Sequence, residues 1–202
     1  STAEAEEAAK YGSEPGLIKV ETIEKDGDGG VHPYGTDDRM VLGHSNPNWV
    51  LGFTNNFTYK GFDLSIHTMA RLGQMIQSDM LSRYTASDDI TVNQIAGTDY
   101  WTENNQGAYF PRPGSAKKQS AYYSALTFVD GSFFKIKNIT LGYTLPTNLV
   151  KKAFMERVRF YATAYNPVIF CKSILKDTDP ETGGSDAFPT YREFVFGVNV
   201  TF

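Results

Sequence analysis

The last nine residues, 194–202, alternate between apolar and polar side chains. Every even position is apolar, and the odd positions are small or polar except Val195. A period of two predicts a β-strand with one apolar and one polar face. This segment alone fits the closing strand of an outer-membrane β-barrel and the edge strand of a soluble sandwich equally well.

Two further alternating segments, 48–59 and 62–72, predict a hairpin around the turn Lys60-Gly61. Each segment is about 11 residues long, the length that a tilted strand needs to cross a bilayer. Polar side chains share one face of the second strand, and we expect Asp63, His67 and Arg71 to lie there.

The segment 133–165 predicts a pair of strands, 133–145 and 157–165, joined by a short connection. Apolar positions are even at the start of the first strand and odd after Asn138, so we predict a β-bulge near that residue. The polar positions of this pair carry four charged side chains, Lys135, Lys137, Arg157 and Arg159.

The connections between these strands alternate in length. Segments 1–47, 73–132 and 166–193 are long, whereas 60–61 and 146–156 are short. Outer-membrane barrels have long extracellular loops and short periplasmic turns, so we predict an all-β, transmembrane antiparallel β-barrel with a periplasmic C-terminus. Five strands are too few to close a barrel in a membrane, and we therefore expect this chain to be one part of a larger barrel.

Composition restricts the classes of protein further. Aromatic residues are 14% of the 202 residues, but hydrophobic residues total only 41%, as strands with one polar face require. A net charge of −4 with both signs dispersed argues against a nucleic-acid partner. The single Cys171 excludes an internal disulfide. The three histidines, His32, His44 and His67, have no partners at catalytic spacing, and we predict that the chain is not an enzyme.

An acidic, glycine-rich stretch could bind calcium. Glu24, Asp26 and Asp28 alternate and precede Gly29, as in the first half of an EF-hand loop, but Gly35 stands where a bidentate glutamate belongs. A solvated turn explains the same residues without metal. Structural calcium is the one cofactor that the sequence raises, and none is required.

The long connection 73–132 is rich in Tyr, Asn, Ser and Asp, and connections of this length usually carry function. Exposed aromatic rings beside amides suit stacking on sugars or on peptide side chains. The candidate contact residues are Tyr84, Tyr100, Trp101, Tyr109 and Arg112. We expect Trp101, more than the tyrosines, to pack within the loop itself. A secreted carbohydrate-binding β-sandwich that uses Tyr100, Trp101 and Tyr109 is the alternative hypothesis.

Several short motifs occur in the order seen in one family. They are residues 14–20 (EPGLIKV), 26–29 (DGDG), 38–43 (DRMVLG), 59–65 (YKGFDLS), 100–102 (YWT), 133–146 (FFKIKNITLGYTLP), 179–181 (DPE) and 196–202 (FGVNVTF). Together they give a chain that resembles the SusC/RagA-type TonB-dependent transporters. The match departs from the family at Tyr165-Asn166-Pro167, where Gln-Asn followed by an aliphatic residue is usual, and at Glu24, where Asp is usual.

The resemblance implies a barrel of about 22 strands, of which residues 1–202 would be the C-terminal part, with the N-terminal plug domain outside this chain. It implies import of oligosaccharides or peptides across the outer membrane, powered through TonB, with a SusD-like lipoprotein as lid. The contact residues above would meet substrate or lid. The expected lumen-facing side chains are Asp63, His67, Arg71, Lys135, Lys137, Arg157, Arg159 and Asn199. The ending implies a barrel-closing signal at Gly197, Val200 and Phe202, with segment 194–202 as the closing strand.

Overall fold

The computed structural model describes residues 5–10, 14–18, 40–84, 96–115, 122, 124–172, 175, 178–188 and 190–202. The calcium hypothesis falls on Glu24, Asp26 and Asp28, which lie outside the described residues. The chain divides into two compact units, residues 1–43 with 77–129, and residues 44–76 with 130–202.

Seven strands form most of the regular structure in the described residues. They are β1 (Trp49–Tyr59), β2 (Phe62–Leu72), β3 (Met75–Gln77), β4 (Phe128–Asp130), β5 (Phe133–Thr144), β6 (Arg157–Cys171) and β7 (Glu193–Thr201). Five of them form one antiparallel sheet in the order β1-β2-β5-β6-β7, and β3 pairs with β4 in a separate two-stranded sheet. The all-β, antiparallel prediction is confirmed.

Helical segments are short. They are Ala5–Lys10, Asp79–Tyr84, residues 124–127 and Thr147–Val150, with 3-10 turns at Lys151–Ala153 and Pro180–Thr182. The connection 73–132 therefore contains regular structure at both of its ends, which its composition did not predict. Within the described part of the chain, no helix has the length and apolar character needed to cross a membrane.

The predicted β-bulge in β5 is confirmed. The pairing of β2 with β5 shifts between His67 and Thr68, where Lys137 is the extra residue on β5. The extra residue lets side chains on both sides of the bulge keep to the same faces although the parity of the sequence changes.

Strand β6 is longer than predicted, because the sequence places its end at Tyr165 and the structure continues it to Cys171. Asn166 and Pro167 together lie opposite the single residue Lys137. A proline lacks a backbone donor, but a bulge leaves one residue unpaired, and Asn166 adopts the left-handed φ of 49° that the bend requires. The first residues of the predicted loop 166–193 are therefore strand.

The five-stranded sheet has two unlike faces. Register places most of the large apolar side chains of all five strands on one face, and most of these are exposed, with Phe196 at 80% as the extreme. Charged and hydroxyl side chains occupy the opposite face. The most buried side chains of this unit include Phe133, Lys135 and Leu175, so its small core lies where the connection after β6 folds back on the polar face.

Candidate functional site

A cluster of four charged side chains ties the connection between β6 and β7 to the polar face of β5. Lys135 Nζ donates to the carboxylates of Asp179 and Glu181, the second at 2.8 Å. Lys137 Nζ donates to both carboxylate oxygens of Glu181 at 2.7 and 2.9 Å. The Lys135 side chain is only 2% exposed, so its charge is neutralised by these partners rather than by water. We call these four residues the lysine–carboxylate lock.

Local sequence shapes the acidic half of the lock. The Asp179 carboxylate accepts the N–H of Glu181 at 3.0 Å and caps the 3-10 turn Pro180–Thr182. Pro180 suits the first position of that turn, and Gly183 leaves it with a left-handed φ of 73°. One short motif therefore presents both carboxylates in a fixed orientation.

The electrostatics of the two carboxylates follow from burial and from these contacts. Burial alone would raise the pKa of Asp179, but hydrogen bonds from Lys135, from the Glu181 N–H and from Thr190 lower it below its usual value. Burial also opposes ionisation of Glu181, and the ammonium groups of Lys135 and Lys137 lower its pKa in the same way. Both groups are therefore charged at neutral pH.

A second ion pair lies at the other end of the polar face. Arg159 on β6 binds the Asp63 carboxylate on β2 with two hydrogen bonds, Nε to Oδ1 at 2.9 Å and Nη2 to Oδ2 at 2.5 Å. β5 lies between these strands, and Gly142 is the residue over which the guanidinium passes. A Cβ at Gly142 would collide with both charged groups.

On strand β7, a glycine again makes room for a side chain of a neighbouring strand. Gly197 pairs directly with Tyr161, and the tyrosine ring covers the space where a Cβ would lie. The same ring lies 5.4 Å from the Arg159 guanidinium, a cation–π distance. The closing-signal residues Val200 and Phe202 are both exposed on the apolar side of the chain end. Their role as a signal stays a prediction.

The remaining polar positions follow the same face. His67 Nδ1 lies 2.9 Å from the Thr54 hydroxyl, and the hydroxyls of Thr140 and Thr163 lie 2.9 Å apart. All eight side chains expected to face a lumen lie on this one face of the sheet: Asp63, His67, Arg71, Lys135, Lys137, Arg157, Arg159 and Asn199. Four of them form ion pairs within the chain, which leaves fewer groups to contact a cargo.

The aromatic candidates lie in the other unit. Trp101 packs on Gly16, whose absent Cβ makes room for the indole ring. Gly16 lies outside the connection 73–132, so this contact is with another segment of the unit and not, as expected from the sequence, within the loop itself. Arg112 forms an ion pair with Glu14 at 2.5 Å. Tyr84 ends the helix Asp79–Tyr84 and is half-buried.

Tyr100 and Tyr109 are exposed, as is Phe128, among the described residues of this unit. Asp99 holds their loop by accepting the Asn105 side-chain amide at 2.8 Å and the Tyr109 N–H at 3.0 Å. These two hydrogen bonds lower the pKa of Asp99. The loop thus presents two tyrosine rings from a hydrogen-bonded frame, and substrate or lid contact at these residues stays a prediction.

Sequence reasoning missed several residues that make this face. Asp179 and Glu181 appeared only within a family motif, and Gly142 and Tyr161 only as unremarked positions within predicted strands. The sequence offered one signal for Asp179 and Glu181, namely that their charge is opposite to that of Lys135 and Lys137. In the described ranges, no group of three or more His, Cys, Asp or Glu side chains is arranged to hold a metal ion.

Comparison with known proteins identifies the relatives of this chain. No protein-family model matches it. TonB-dependent receptor P3 of Formosa agariphila is 26% identical over 193 residues, covering 88% of this chain and 18% of the receptor. TonB-dependent receptor SusC of Bacteroides thetaiotaomicron is 28% identical over 185 residues, covering 89% of this chain and 17% of SusC.

The chain resembles SusC/RagA-type TonB-dependent receptors. Among solved structures, the RagAB peptide transporter superimposes with a TM-score of 0.69 at 24% identity, covering 89% of this chain and 20% of the RagAB chain. That likeness concerns the fold. The chain spans 17 to 19% of the length of the TonB-dependent receptors it matches, and these relatives are receptors rather than enzymes.

Proposed function

We propose that this chain forms a section of the wall of a TonB-dependent transporter in the outer membrane. The observation that carries the proposal is the division of the sheet into two faces, with ion pairs on one and exposed aromatic side chains on the other. The apolar face would contact lipid and the polar face would line the lumen. The resemblance to TonB-dependent receptors also supports the proposal that this two-faced sheet is part of a transporter wall.

Energetics favour this arrangement over exposure to water on both faces. Phe53, Phe160 and Phe196 belong to an apolar face that extends over all five strands of the large sheet. An exposed apolar surface of this extent is unfavourable in water and favourable in a hydrocarbon environment. The secreted β-sandwich alternative needs this face to be buried under a second sheet, whereas Phe53, Phe160 and Phe196 are exposed in the described structure.

The unpaired edges of the two outer strands of the described sheet indicate what we expect to lie next to this chain. β1 and β7 each pair on one side only within the described structure. A strand edge exposed to lipid leaves backbone groups unsatisfied at a cost of several kcal/mol each. We propose that further strands of the same barrel pair with both edges and that a plug domain fills the lumen.

Connection lengths give the proposed orientation. The short connections 60–61 and 146–156 lie at one end of the sheet, and the long connections lie at the other. We assign the short end and the C-terminus to the periplasm, where the plug of such a transporter engages TonB. A SusD-like lipoprotein would cover the long-connection end.

The proposed cargo is an oligosaccharide or a peptide. RagAB is a peptide importer, and the exposed Tyr100 and Tyr109 rings suit either cargo class. The lysine–carboxylate lock would hold the connection after β6 against the lumen face and so fix part of the lining. Its paired charges act on the shape of the path rather than on cargo charge.

Fractionation of the source membranes tests the proposal. The protein should stay with the outer membrane through salt and carbonate washes and should require detergent for release. A SusD-like lipoprotein should co-purify, and labelled oligosaccharides and peptides offered in parallel to cells with and without the gene should identify the cargo class. Recovery of the protein in the aqueous fraction without detergent would exclude a membrane wall.

A further inference from the structure

The connection between β5 and β6 ends on an unusual residue. The helical turns Thr147–Val150 and Lys151–Ala153 are closed by two hydrogen bonds, from the Phe154 N–H to the Lys151 carbonyl and from the Met155 N–H to the Val150 carbonyl, each at 3.2 Å. This is the Schellman arrangement, in which the residue at Phe154's position is left-handed and usually glycine. Phe154 has a φ of 58° and is 92% exposed.

Two ordinary preferences are broken at Phe154. A left-handed backbone costs a residue with a Cβ about 1–2 kcal/mol relative to the right-handed region. An aromatic ring in water also forgoes the free energy of burial. Both the backbone conformation and the exposure of Phe154 are unfavourable for the isolated chain. Such a combination indicates that the side chain has a function other than stabilising the chain's own fold.

Basic side chains precede this ring in the sequence, and another lies at the same end of the sheet. Lys151 and Lys152 precede it, and the Lys60-Gly61 turn lies beside the start of the connection, where the Thr144 N–H donates to the Gly61 carbonyl at 2.7 Å. Among the described residues, these three lysines form no ion pair. Lys60 Nζ lies 5.2 Å from the centroid of the Tyr59 ring.

The apolar side chains of the connection are divided between fold and surface. Val150 is buried, and its helical turn packs against β6. Leu149, one residue earlier, is exposed, as is Phe154. Both exposed side chains lie in the connection at the end of the sheet where the lysines lie. The acidic residues nearest to these lysines in sequence are Asp63, which forms an ion pair on the polar face of the sheet, and Glu156.

We propose that this end of the sheet, the basic–aromatic rim of Lys60, Leu149, Lys151, Lys152 and Phe154, binds the headgroups of anionic phospholipids. Phe154 and Leu149 enter the edge of the acyl region, and the ammonium groups contact the phosphodiester oxygens above it. Lysine suits this position because its apolar stem lies along hydrocarbon while its charge stays at the headgroups. The inference rests on the proposed function, since it requires the sheet to span a bilayer.

Charge complementarity selects lipid over a protein partner. Lys151 and Lys152 lie on a helical turn and Lys60 lies in a hairpin turn, and none of the three is paired with an acidic side chain among the described residues. The exposed Leu149 and Phe154 belong to the same connection as Lys151 and Lys152. A bilayer offers both of the required chemistries, phosphodiester and hydrocarbon, at the depth where the strands end. A protein partner at this end remains an outcome that the experiment can report.

Lipid retention by the protein from its natural membrane tests the inference. The protein is exchanged into nanodiscs of equal parts phosphatidylglycerol and phosphatidylcholine, released into mild detergent, and the retained lipids are counted by native mass spectrometry. We expect enrichment of phosphatidylglycerol in the natural protein. The variant K151Q/K152Q should lose about fivefold in that enrichment for each lysine removed, the equivalent of roughly 1 kcal/mol per charge.

Matched variants separate lipid contact from folding. Phe154→Gly suits the left-handed backbone, so it should keep or raise thermal stability while lowering lipid retention. Phe188→Ala and Arg192→Gln remove an exposed ring and an exposed charge at the opposite end of the sheet and should leave the retained lipid unchanged. Inorganic phosphate added to the lipid-bound protein should not displace phosphatidylglycerol, because phosphate lacks acyl chains.

Several results would overturn the inference. They are equal retention of the two lipids, an unchanged ratio in K151Q/K152Q, displacement by inorganic phosphate, or a co-purifying protein whose binding depends on Phe154 while lipid retention does not. The proposed function fails separately. In that case the natural protein is absent from the membrane fraction, whereas failure of the rim alone leaves a membrane-embedded protein without preference for anionic lipid.

Discussion

Arg159 reaches Asp63 across an intervening strand, with its Nε 2.9 Å from Oδ1 of the carboxylate. The two residues lie 96 positions apart in sequence and two strands apart in the sheet. The pair exists because Gly142, on the strand between them, has no side chain. This glycine is therefore part of the ion pair although it carries no charge.

Substituting Gly142 by Ala should break that ion pair. The new methyl group would meet the Arg159 guanidinium and the Asp63 carboxylate, and their separation leaves two half-buried charges without partners. We expect a loss of about 1–3 kcal/mol in the free energy of unfolding. Heat-modified migration of the detergent-purified protein measures the change.

Gly52→Ala is the matched control for that experiment. Gly52 lies on the same polar face in β1, and a Cβ there meets no atom within 4 Å. It should change stability little. Equal effects of the two substitutions would mean that glycine matters here for backbone reasons alone, and the account of the ion pair would be wrong.

Acid should release the connection between β6 and β7. The pKa values of Asp179 and Glu181 are lowered in the folded protein, against the opposing effect of burial, mainly by Lys135. A lowered pKa contributes stability that is fully present above the unfolded value and disappears as pH falls through the folded value. The lock should therefore hold at neutral pH and open only below about pH 4.

Limited proteolysis of residues 182–192 as a function of pH measures that release. Cleavage should be slow and constant from neutral pH down to about pH 5 and should rise steeply below about pH 4. Glu181→Gln keeps the shape of the side chain but removes its negative charge. The rate of cleavage at neutral pH should therefore rise. Slow cleavage of this variant at every pH would show that the lysines do not hold the connection.

Gly197 and Tyr161 should behave as a coupled pair. A methyl group at Gly197 would displace the tyrosine ring that lies over it, so Gly197→Ala should destabilise the edge strand. Tyr161→Ala removes the ring and should remove most of the penalty of the first substitution. A double-mutant cycle on thermal unfolding measures the coupling, which we expect to be about 0.5–3 kcal/mol. Additive effects would argue against contact between the two residues.

Alternation of side chains predicted much of this fold. The hairpin of β1 and β2, the strand β5 with its bulge, and the polar face all follow from positions of apolar residues, because burial or lipid contact of one face fixes which side chains point where. The spacing of apolar residues does not reveal which side chains distant in sequence come into contact. Lys135 meets Asp179 44 residues away only after the connection folds back on the sheet.

The end of β6 shows a different limit. Asn166-Pro167 is typical of a strand end, since proline cannot donate to a neighbouring strand. In the sheet, the pair forms a bulge opposite Lys137, and pairing resumes at Val168 with Ile136. Whether such a pair ends or bends a strand depends on the register of the neighbouring strand, which local sequence does not encode.

The backbone at Asn166 provides a direct test of this bulge. Its left-handed φ of 49° suits Asn and Gly, but a β-branched side chain there would be strained. We expect Asn166→Val to cost about 1–2 kcal/mol in the free energy of unfolding. Asn166→Gly should cost less, although it loses the hydrogen bond from the Asn166 amide to the Tyr191 carbonyl at 3.3 Å. Thermal unfolding in detergent ranks the two variants, and a valine variant as stable as the glycine variant would contradict a left-handed residue at this position.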